Sequence, residues 1–393
     1  MAAQFLPNDL RHLCTLTSVA ATEGDIPPSF DPSEVNWKAL ARWARRHRVE
    51  SLVARTLSRH GSGAPDWAAA HFAARAQGHA MSALRATRAV QQMTGGLDRA
   101  GIPFLLLKGQ AVAERYYQYP SDRQAIDLDI LVTDDAVEAA VDVLRGLDFA
   151  AEVEAQIKPG AQRLWRRLNA DIPMVREADR IKVELHWRLA KNPYLIPWTE
   201  DEFFGHASRQ EVSGVMVQAF RPAPLLVYLL THGARHHWFR LKWLADIDRM
   251  VTKISDEDLS HAESLGQGIG CAQLMANSLE LAARLYGTAP ERTATLRAKA
   301  REKDLARMIE AIAEPQVKTS YGFEDLPRLM RHIRSDFSLK PDPAYKRAQL
   351  VGTLVDPRDV QRFGLSGKWL WAYLAAAPFT RGARLVTRAV RAS

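Results

Sequence analysis

The sequence predicts an α+β fold, in which a small mixed sheet is flanked by N- and C-terminal helical lobes. Two observations support this class: apolar residues recur every three or four positions before residue 98 and again after Pro222, whereas short alternating segments lie between these regions. Hydrophobic residues make up 47% of the 393-residue chain and charged residues 25%, which excludes collagen, coiled-coil and largely disordered classes. We therefore expect an N-terminal helical lobe (1–98), a core (99–218), a C-terminal helical lobe (219–339) and a basic tail (340–393).

The N-terminal lobe shows two helical stretches. In residues 33–58, apolar side chains are spaced by three and four positions, as on one face of a helix. The polar positions between them hold three arginines: Arg45, Arg46 and Arg48. After a glycine-serine-glycine break at 61–63, residues 67–97 are rich in alanine and poor in β-branched residues, which favours a second helix.

The core begins where the period changes. Residues 103–107 are a short apolar run that ends at Lys108 and Gly109, which predicts a buried strand entering a tight turn. Residues 110–117 can form a helix directly after the glycine. A strand, a turn and a helix in this order place backbone N–H groups next to the end of the strand.

Two further segments alternate strictly between apolar and polar residues. In 126–130, this alternation places Asp127 and Asp129 on one face of a strand. A helix from residue 134 to about 146 follows, and 181–186 then alternates again. The polar face of this last segment carries Lys182, Glu184 and His186. Strands and helices therefore succeed one another through the core, and from Pro222 to about Ile312 the pattern is helical again.

Three carboxylates on sheet-face positions are what a pair of divalent cations requires. Asp127, Asp129 and Glu184 offer the hard oxygen ligands that Mg²⁺ prefers, and Mg²⁺ usually takes further ligands from substrate phosphates. Two such ions about 3.5–4 Å apart can stabilise the attacking and leaving oxygens of a displacement at phosphorus. The turn at Gly109 lets backbone approach a ligand closely, and the helix that follows offers free N–H groups to a triphosphate.

These residues belong to a longer resemblance. The chain resembles uncharacterised bacterial nucleotidyltransferases of the DNA-polymerase-β-like superfamily from about Trp37 to Asp248. The likeness rests on Phe104–Gly109, Tyr116 and Tyr117, Arg123, Asp127–Val132, Val183–Trp187, His232–His236, Trp238, Leu241, Trp243 and Asp246. One position differs, because the superfamily usually has serine after the glycine of the turn, where this chain has Gln110.

The resemblance implies roles for individual residues. Asp127 and Asp129 would bind metal, and Glu184 would complete the site or deprotonate the acceptor. The nucleotide would contact the turn and its surroundings, at Lys108, Gly109, Gln110 and Arg123. The implied cofactors are two Mg²⁺ ions, with an NTP as substrate.

Several of these residues also have a structural interpretation. Glu184 could lie on a solvated strand face, although we favour a functional role. Arg123 could bind triphosphate or pair with Asp122 or another carboxylate, and the guanidinium suits both partners. His232 and His236 have the spacing of a helical zinc site, but the other ligands are missing, so we favour packed, hydrogen-bonded histidines. Arg235 and Lys242 could face the cleft, but solvated positions are the more common outcome.

The positive charge is concentrated at the C-terminus. The net charge is +8, and from Lys340 onward ten lysines and arginines stand against three aspartates, a local balance of +7. Broad nucleic-acid binding is therefore not expected of the body of the chain. The tail combines residues 369–374, rich in aromatic residues, with later arginines; we favour a docked helix with a basic end over contact with a membrane.

The start of the sequence lacks a signal-peptide pattern, and no apolar run is long enough to predict a membrane span. Cys14 and Cys271 are too few to suggest a disulfide framework, which favours a cytoplasmic setting. The reaction we expect is Mg²⁺-dependent transfer of a nucleoside monophosphate to a peptide, sugar or small-molecule acceptor. The alternative is a catalytically silent nucleotide-binding or scaffold protein in a peptide or polysaccharide assembly pathway.

Overall fold

The computed structural model describes residues 6–61, 63–124, 127–151, 162–314, 326–356, 359–360 and 372–373. It confirms the α+β class, because a mixed seven-stranded sheet lies among many helices in these residues. Among the described helices, none has the combination of length and apolar character needed to cross a membrane. The predicted aromatic segment at 369–374 and the arginines after it lie outside the described residues, except for positions 372 and 373.

The N-terminal helices are α1 (Asn8–Thr17), α2 (Val19–Glu23), α3 (Trp37–His47), α4 (Glu50–His60) and α5 (Asp66–Arg99). The Asn36 side chain caps α3 by accepting the N–H of Ala39 at 3.1 Å. The first predicted helical stretch is divided in two, because Arg48 takes a left-handed conformation with φ 59° and ends α3. Arg46 and Arg48 lie at this break, whereas Arg45 is exposed.

The sheet consists of β1 (Phe104–Leu106), β2 (Asp127–Val132), β3 (Ala150–Ala151), β4 (Asp171–Arg176), β5 (Ile181–His186), β6 (Ala207–Val212) and β7 (Val215–Phe220). Their order is β3-β4-β5-β2-β1-β7-β6. The strands β2 and β5 are parallel neighbours, with Asp129 opposite Glu184, and β1 runs antiparallel to β2. The sequence predicted β1, β2 and β5, so the three central strands form as expected, and β2 and β5 carry the predicted carboxylates.

The other four strands were not predicted, and two of them have recognisable signals. Strand β4 alternates in burial, with Ile172 and Met174 fully buried, but its middle residue, Pro173, is of a type that is rare within strands. The hairpin of β6 and β7 turns at Ser213 and Gly214, which both have positive φ, 57° and 76°. Such two-residue turns match the twist of the strands that they join.

Three helices are attached to the sheet and its connections, namely α6 (Gln110–Tyr116), α7 (Val137–Arg145) and α8 (Gln162–Leu168), and a fourth, α9 (Glu200–Gly205), precedes β6. The C-terminal helices are α10 (Pro222–Arg235), α11 (Leu241–Lys253), α12 (Asp256–Gly268), α13 (Ala272–Tyr286), α14 (Ala294–Arg297), α15 (Glu302–Ala313), α16 (Leu326–Ser338) and α17 (Pro343–Leu354). Helices α1, α3 and α4 share one hydrophobic core with α10, α11 and α13. A second core lies under the sheet, against α5 and α7.

The turn between α10 and α11 positions much of the site. His237 and Trp238 both have positive φ, and the fully buried Trp238 ring packs on the backbone of Gly233. A Cβ atom at Gly233 would lie 2.3 Å from this ring, so only glycine fits there. The turn therefore holds the end of α10 and the start of α11 against the same cavity.

Candidate active site

A cavity of about 640 Å³ lies over β2 and β5. Its walls come from the end of α3, the turn between α10 and α11, and helices α16 and α17. The carboxylates that line it are Asp127, Asp129, Asp171, Glu184, Glu314 and Asp336. The lysines and arginines that line it are more numerous: Arg46, Arg48, Lys108, Arg123, Lys191, Arg235, Arg240, Lys242 and Arg328. A volume of this size suits a small-molecule ligand.

Asp129 lies at the centre of the carboxylate group and is fully buried. The ammonium of Lys108 donates to its Oδ1, and His186 Nε2 lies 3.2 Å from the same oxygen. Burial opposes ionisation, but the charges and hydrogen bonds of Lys108 and His186 together outweigh it and hold the pKa of Asp129 below its usual range. Burial likewise opposes the charge of Lys108, yet Asp129 and Asp127 raise the pKa of that lysine. Both groups are therefore ionised at neutral pH.

The second oxygen of Asp129 has a different environment. Oδ2 is buried and has no hydrogen-bond partner in the described part of the chain. A buried carboxylate oxygen without a partner is costly, because its water is not replaced. This oxygen is therefore available to a ligand that the protein itself does not supply.

Asp129, Glu184 and His186 can together hold a metal ion. Each offers one ligand atom, and these atoms lie within 4.8 Å of one another. Burial, followed by repulsion from Asp129, raises the pKa of Glu184, which a bound cation would reverse. The unpartnered oxygen of Asp129 and this donor set fit one divalent ion. His186 was noted on the same strand face as Glu184 but was not predicted as a ligand.

Asp127 lines the same cavity but is not part of this group of three. It lies two residue pairs away from Asp129 along the ladder, opposite Lys182 of β5. Arg48 and Lys242 lie within its electrostatic range. Asp127 therefore faces the part of the cavity that the arginines of α3 line.

The Lys108–Gly109 turn forms one edge of the cavity. Gly109 has φ 71° and ψ −117°, a conformation that other residues rarely adopt, and its carbonyl accepts from Arg123 Nη1 at 3.2 Å. Gln110 does not take part, because its side chain is buried and directed toward the carbonyl of Ala83 on α5, at 3.4 Å. Of the residues predicted to contact nucleotide, Lys108, Gly109 and Arg123 thus line the cavity and Gln110 does not.

Arg123 forms a buried ion pair with Asp246 of α11. Its Nε and Nη2 donate to the two oxygens of Asp246 at 2.8 and 2.9 Å, and Tyr117 donates to the same carboxylate at 2.7 Å. Asp122, the partner considered from the sequence, instead accepts from Arg55 at 2.8 Å. The carboxylate that binds Arg123 thus belongs to Asp246, which is also one of the residues on which the family resemblance rests.

His232 and His236 line the cavity, and Nδ1 of His232 is buried without a hydrogen-bond partner among the described residues. Their ring centroids are 4.7 Å apart, and Trp243 stacks on His236 at 5.1 Å. Burial, followed by nearby positive charge, lowers the pKa of both well below the usual value, so they are neutral. They are not among the described residues that could hold a metal ion.

The sequence interpretation missed a group of cations. Arg46 and Arg48 were placed between apolar positions of a helix, and Lys242 was expected to be solvated, yet all three line the cavity. Lys242 is only 8% exposed, so the expectation for that residue is wrong. These side chains meet because α3 packs against the start of α11, nearly two hundred residues later, as the bond from Arg240 Nη1 to the carbonyl of Arg46 shows. No local pattern could reveal this contact.

Removing the buried amine of Lys242 is expected to stabilise the fold. Burial, followed by repulsion from Arg123 and Arg48 against weaker attraction from Asp127 and Asp246, lowers the pKa of Lys242 to about 7. An unfolded lysine titrates near 10.4, so the unfolded chain binds more protons between about pH 7 and 10. The wild-type protein therefore loses stability as the pH falls through this range, and below it the full cost remains.

Urea unfolding of Lys242→Met at two pH values measures this cost. We expect the variant to be more stable at pH 7 by roughly 3–5 kcal/mol, and by less at pH 9.5. Lys38, an exposed lysine of α3, provides the control Lys38→Met, which should show no such pH-dependent gain. A Lys242→Met variant no more stable than wild type at pH 7 would mean that the amine is solvated.

A group of carboxylates thus faces a cation-rich cavity in this α+β fold. A family described as uncharacterised nucleotidyltransferase matches residues 33–287, and the chain belongs to this family. The expected enzyme class is thereby confirmed. The matched region includes every residue predicted for the site and ends before α16. Neither the curated proteins nor the solved structures contain a match.

Proposed function

We propose that this protein transfers a nucleoside monophosphate from an NTP to an acceptor oxygen and releases pyrophosphate, as do enzymes of the DNA-polymerase-β-like superfamily. The observation that carries the proposal is the position of Asp129 and Glu184 on parallel neighbouring strands, with an unpartnered carboxylate oxygen at the floor of a cation-rich cavity. This arrangement combines a place for a divalent cation with a place for phosphates. Family membership supports the same reaction class.

In the proposed site, Asp129, Glu184 and His186 would hold one divalent ion. Asp127, which lines the same cavity, would help Asp129 to hold a second, and both ions would be Mg²⁺. Such ions polarise the α-phosphate and neutralise charge that develops during transfer. Lys108 keeps Asp129 ionised and fixes its orientation through the bond to Oδ1. Gly109 brings backbone close to the α-phosphate, and Arg123 braces that turn through the Gly109 carbonyl. We leave Gln110 out of the nucleotide site.

The reaction is a single displacement. The acceptor oxygen forms a bond to the α-phosphorus, and the bond from that phosphorus to the oxygen bridging to the β-phosphate breaks. Pyrophosphate leaves with the electrons of the broken bond. The proton of a hydroxyl acceptor passes to Glu184 or to one of the aspartates, which lie in the same cavity.

Pyrophosphate release tests the proposal directly. The full chain is incubated with each NTP, with Mg²⁺ or Mn²⁺, and with candidate peptide, sugar and small-molecule acceptors, and products are identified by mass spectrometry. We expect metal-dependent pyrophosphate release matched by an acceptor whose mass increases by one nucleoside monophosphate. Nucleotide binding without pyrophosphate release under every condition would contradict the proposed activity.

One observation favours the alternative of a nucleotide-binding protein without catalysis. The ammonium of Lys108 already neutralises one oxygen of Asp129, on the carboxylate that a catalytic metal would need. In this alternative, the protein serves as a scaffold in a peptide or polysaccharide assembly pathway, recruited through its basic tail. A pull-down that depends on the tail and survives loss of Asp127 and Asp129 would favour it. A cytoplasmic location is part of both proposals, because NTPs are the proposed ligands.

A further inference from the structure

Four cationic side chains meet where the end of α3 packs on the start of α11. We call Arg46, Arg48, Arg240 and Lys242 the cation cluster, and all four line the cavity. Two of them are fixed by backbone oxygens: Arg46 Nη1 donates to the carbonyl of Phe239 at 2.6 Å, and Arg240 Nη1 donates to the carbonyl of Arg46 at 2.8 Å. Arg46 and Arg240 are therefore held in place by contacts that do not neutralise their charge.

Few described carboxylates act on the cluster. Glu314 attracts Arg46, and Asp127 attracts Arg48 and Lys242. Asp246 is already engaged by Arg123. Burial, followed by the mutual repulsion of these cations, lowers the pKa of Arg240 to about 10. Like charges that are partly desolvated and close together are costly, and this cost is removed by a ligand with several negative charges.

Lys242 is the most buried member and lies in the first turn of α11. It is 8% exposed, and its one described hydrogen bond, to the carbonyl of Gln124, is long at 3.5 Å. Arg240 precedes the helix without capping it through its side chain, and the positive end of the helix dipole lies beside the ammonium of Lys242. Arg46 Nη2 is also buried and has no hydrogen-bond partner among the described residues. These groups together offer several donors to an anion.

We infer that the cation cluster binds the β- and γ-phosphates of the NTP, and after transfer the pyrophosphate. This inference rests on the proposed function, which supplies the substrate class. Arginine forks match the geometry of phosphate oxygens, and a lysine adds a compact positive charge. Because Arg48 and Lys242 act on Asp127, the cluster lies beside the predicted metal-binding carboxylates, where the outer phosphates of a nucleotide would extend. The Lys108–Gly109 turn is then left for the α-phosphate.

Inorganic tripolyphosphate probes this site without requiring catalysis. Its affinity is measured by isothermal titration calorimetry on the full chain without divalent metal, for wild type, Arg48→Met and Lys242→Met. We expect each substitution to weaken binding by at least about tenfold, since each removes a charge-assisted contact. Arg45→Met is the matched control, because Arg45 is exposed on the same helix and does not line the cavity. It should bind as wild type does.

Two further measurements make the outcome specific. Asp129→Asn should retain tripolyphosphate binding while losing transfer, so failure of the reaction and failure of this inference are distinguishable. With nucleotides, Arg48→Met and Lys242→Met should weaken ATP binding but not AMP binding. Circular dichroism tests whether each variant is folded. If Arg48→Met or Lys242→Met is not folded, Arg240→Met takes its place.

Three results would overturn the inference. Wild type that does not bind tripolyphosphate would remove the site altogether. An equal loss of tripolyphosphate affinity in Arg45→Met would show that binding depends on the overall positive charge of the protein and not on the cation cluster. Equal weakening of AMP and ATP would place the cluster away from the outer phosphates.

Discussion

Asp129→Asn is expected to reduce nucleotidyl transfer by at least about 10³-fold, the largest effect of any single substitution in this site. The substitution keeps the size of the side chain but removes the charge on which metal binding depends. Its amide oxygen can still accept the hydrogen bond of Lys108, so the ammonium is not left without a partner. We therefore expect a folded protein that has lost metal affinity and activity together. The double variant Asp127→Asn/Asp129→Asn should have no measurable transfer.

Two measurements, of metal affinity and of pyrophosphate release, distinguish the loss of a metal ligand from the loss of one negative charge in the cavity. Mn²⁺ affinity, measured by electron paramagnetic resonance, should fall with pyrophosphate release in Asp129→Asn. Asp171 is the matched control, because it begins β4, lines the same cavity and pairs with His186 in register, but lies outside the group that could hold a metal. Asp171→Asn should change both readouts by less than about threefold. Wild-type turnover in Asp129→Asn would show that the metal assignment is wrong, and unfolding would show that the aspartate is structural.

The central carboxylates could be predicted because their placement depends on local pattern. Strict alternation in β2 and β5 fixes which residues share a face, and parallel pairing brings Asp129 opposite Glu184. The sequence therefore located the part of the site that two strands determine. Whether these residues catalyse remains a prediction that the Asp129 variants test.

Residues contributed by packing between distant elements could not be predicted in the same way. The cation cluster depends on contact between α3 and α11, and its arginines look like ordinary polar positions of an amphipathic helix. The segment after residue 339 was treated as a tail, but Tyr345 and Gln349 of α17 line the cavity. Tyr345 is also almost fully buried, at 1% exposed. Such residues have no local periodicity that indicates a site.

Arg123 shows why spacing alone could not decide between two interpretations. A guanidinium suits a triphosphate and a carboxylate equally, and the deciding partner, Asp246, is more than a hundred residues away in the sequence. Burial opposes the charge of Arg123, but Asp246 raises the pKa of the guanidinium above its usual value. The pair also joins the sheet region to α11, whose first turn carries Lys242. The main contribution of Arg123 is therefore expected to be structural.

Asp246→Ala is expected to lower the free energy of unfolding by about 3–5 kcal/mol, because the buried guanidinium of Arg123 loses its counter-charge and the hydroxyl of Tyr117 loses its acceptor. Arg123→Met should cost a similar amount by leaving the carboxylate with a single neutral donor. The double variant Arg123→Met/Asp246→Leu should recover much of this loss, since an apolar pair of similar volume leaves no unpaired charge. Urea unfolding of wild type, Arg123→Met, Asp246→Leu and this double variant gives the coupling energy of the pair.

The pair of Arg55 and Asp122 is the matched control, because it has the same chemistry but Arg55 is 29% exposed. Breaking it with Arg55→Met should cost about 1 kcal/mol or less. Calorimetry with ATP completes the comparison: if Arg123 acts mainly through Asp246, ATP affinity should be lost in Asp246→Ala as well, since both changes release the Gly109 turn and the start of α11. Weaker ATP binding in Arg123→Met, with unchanged stability and with normal binding in Asp246→Ala, would instead assign the guanidinium to the triphosphate.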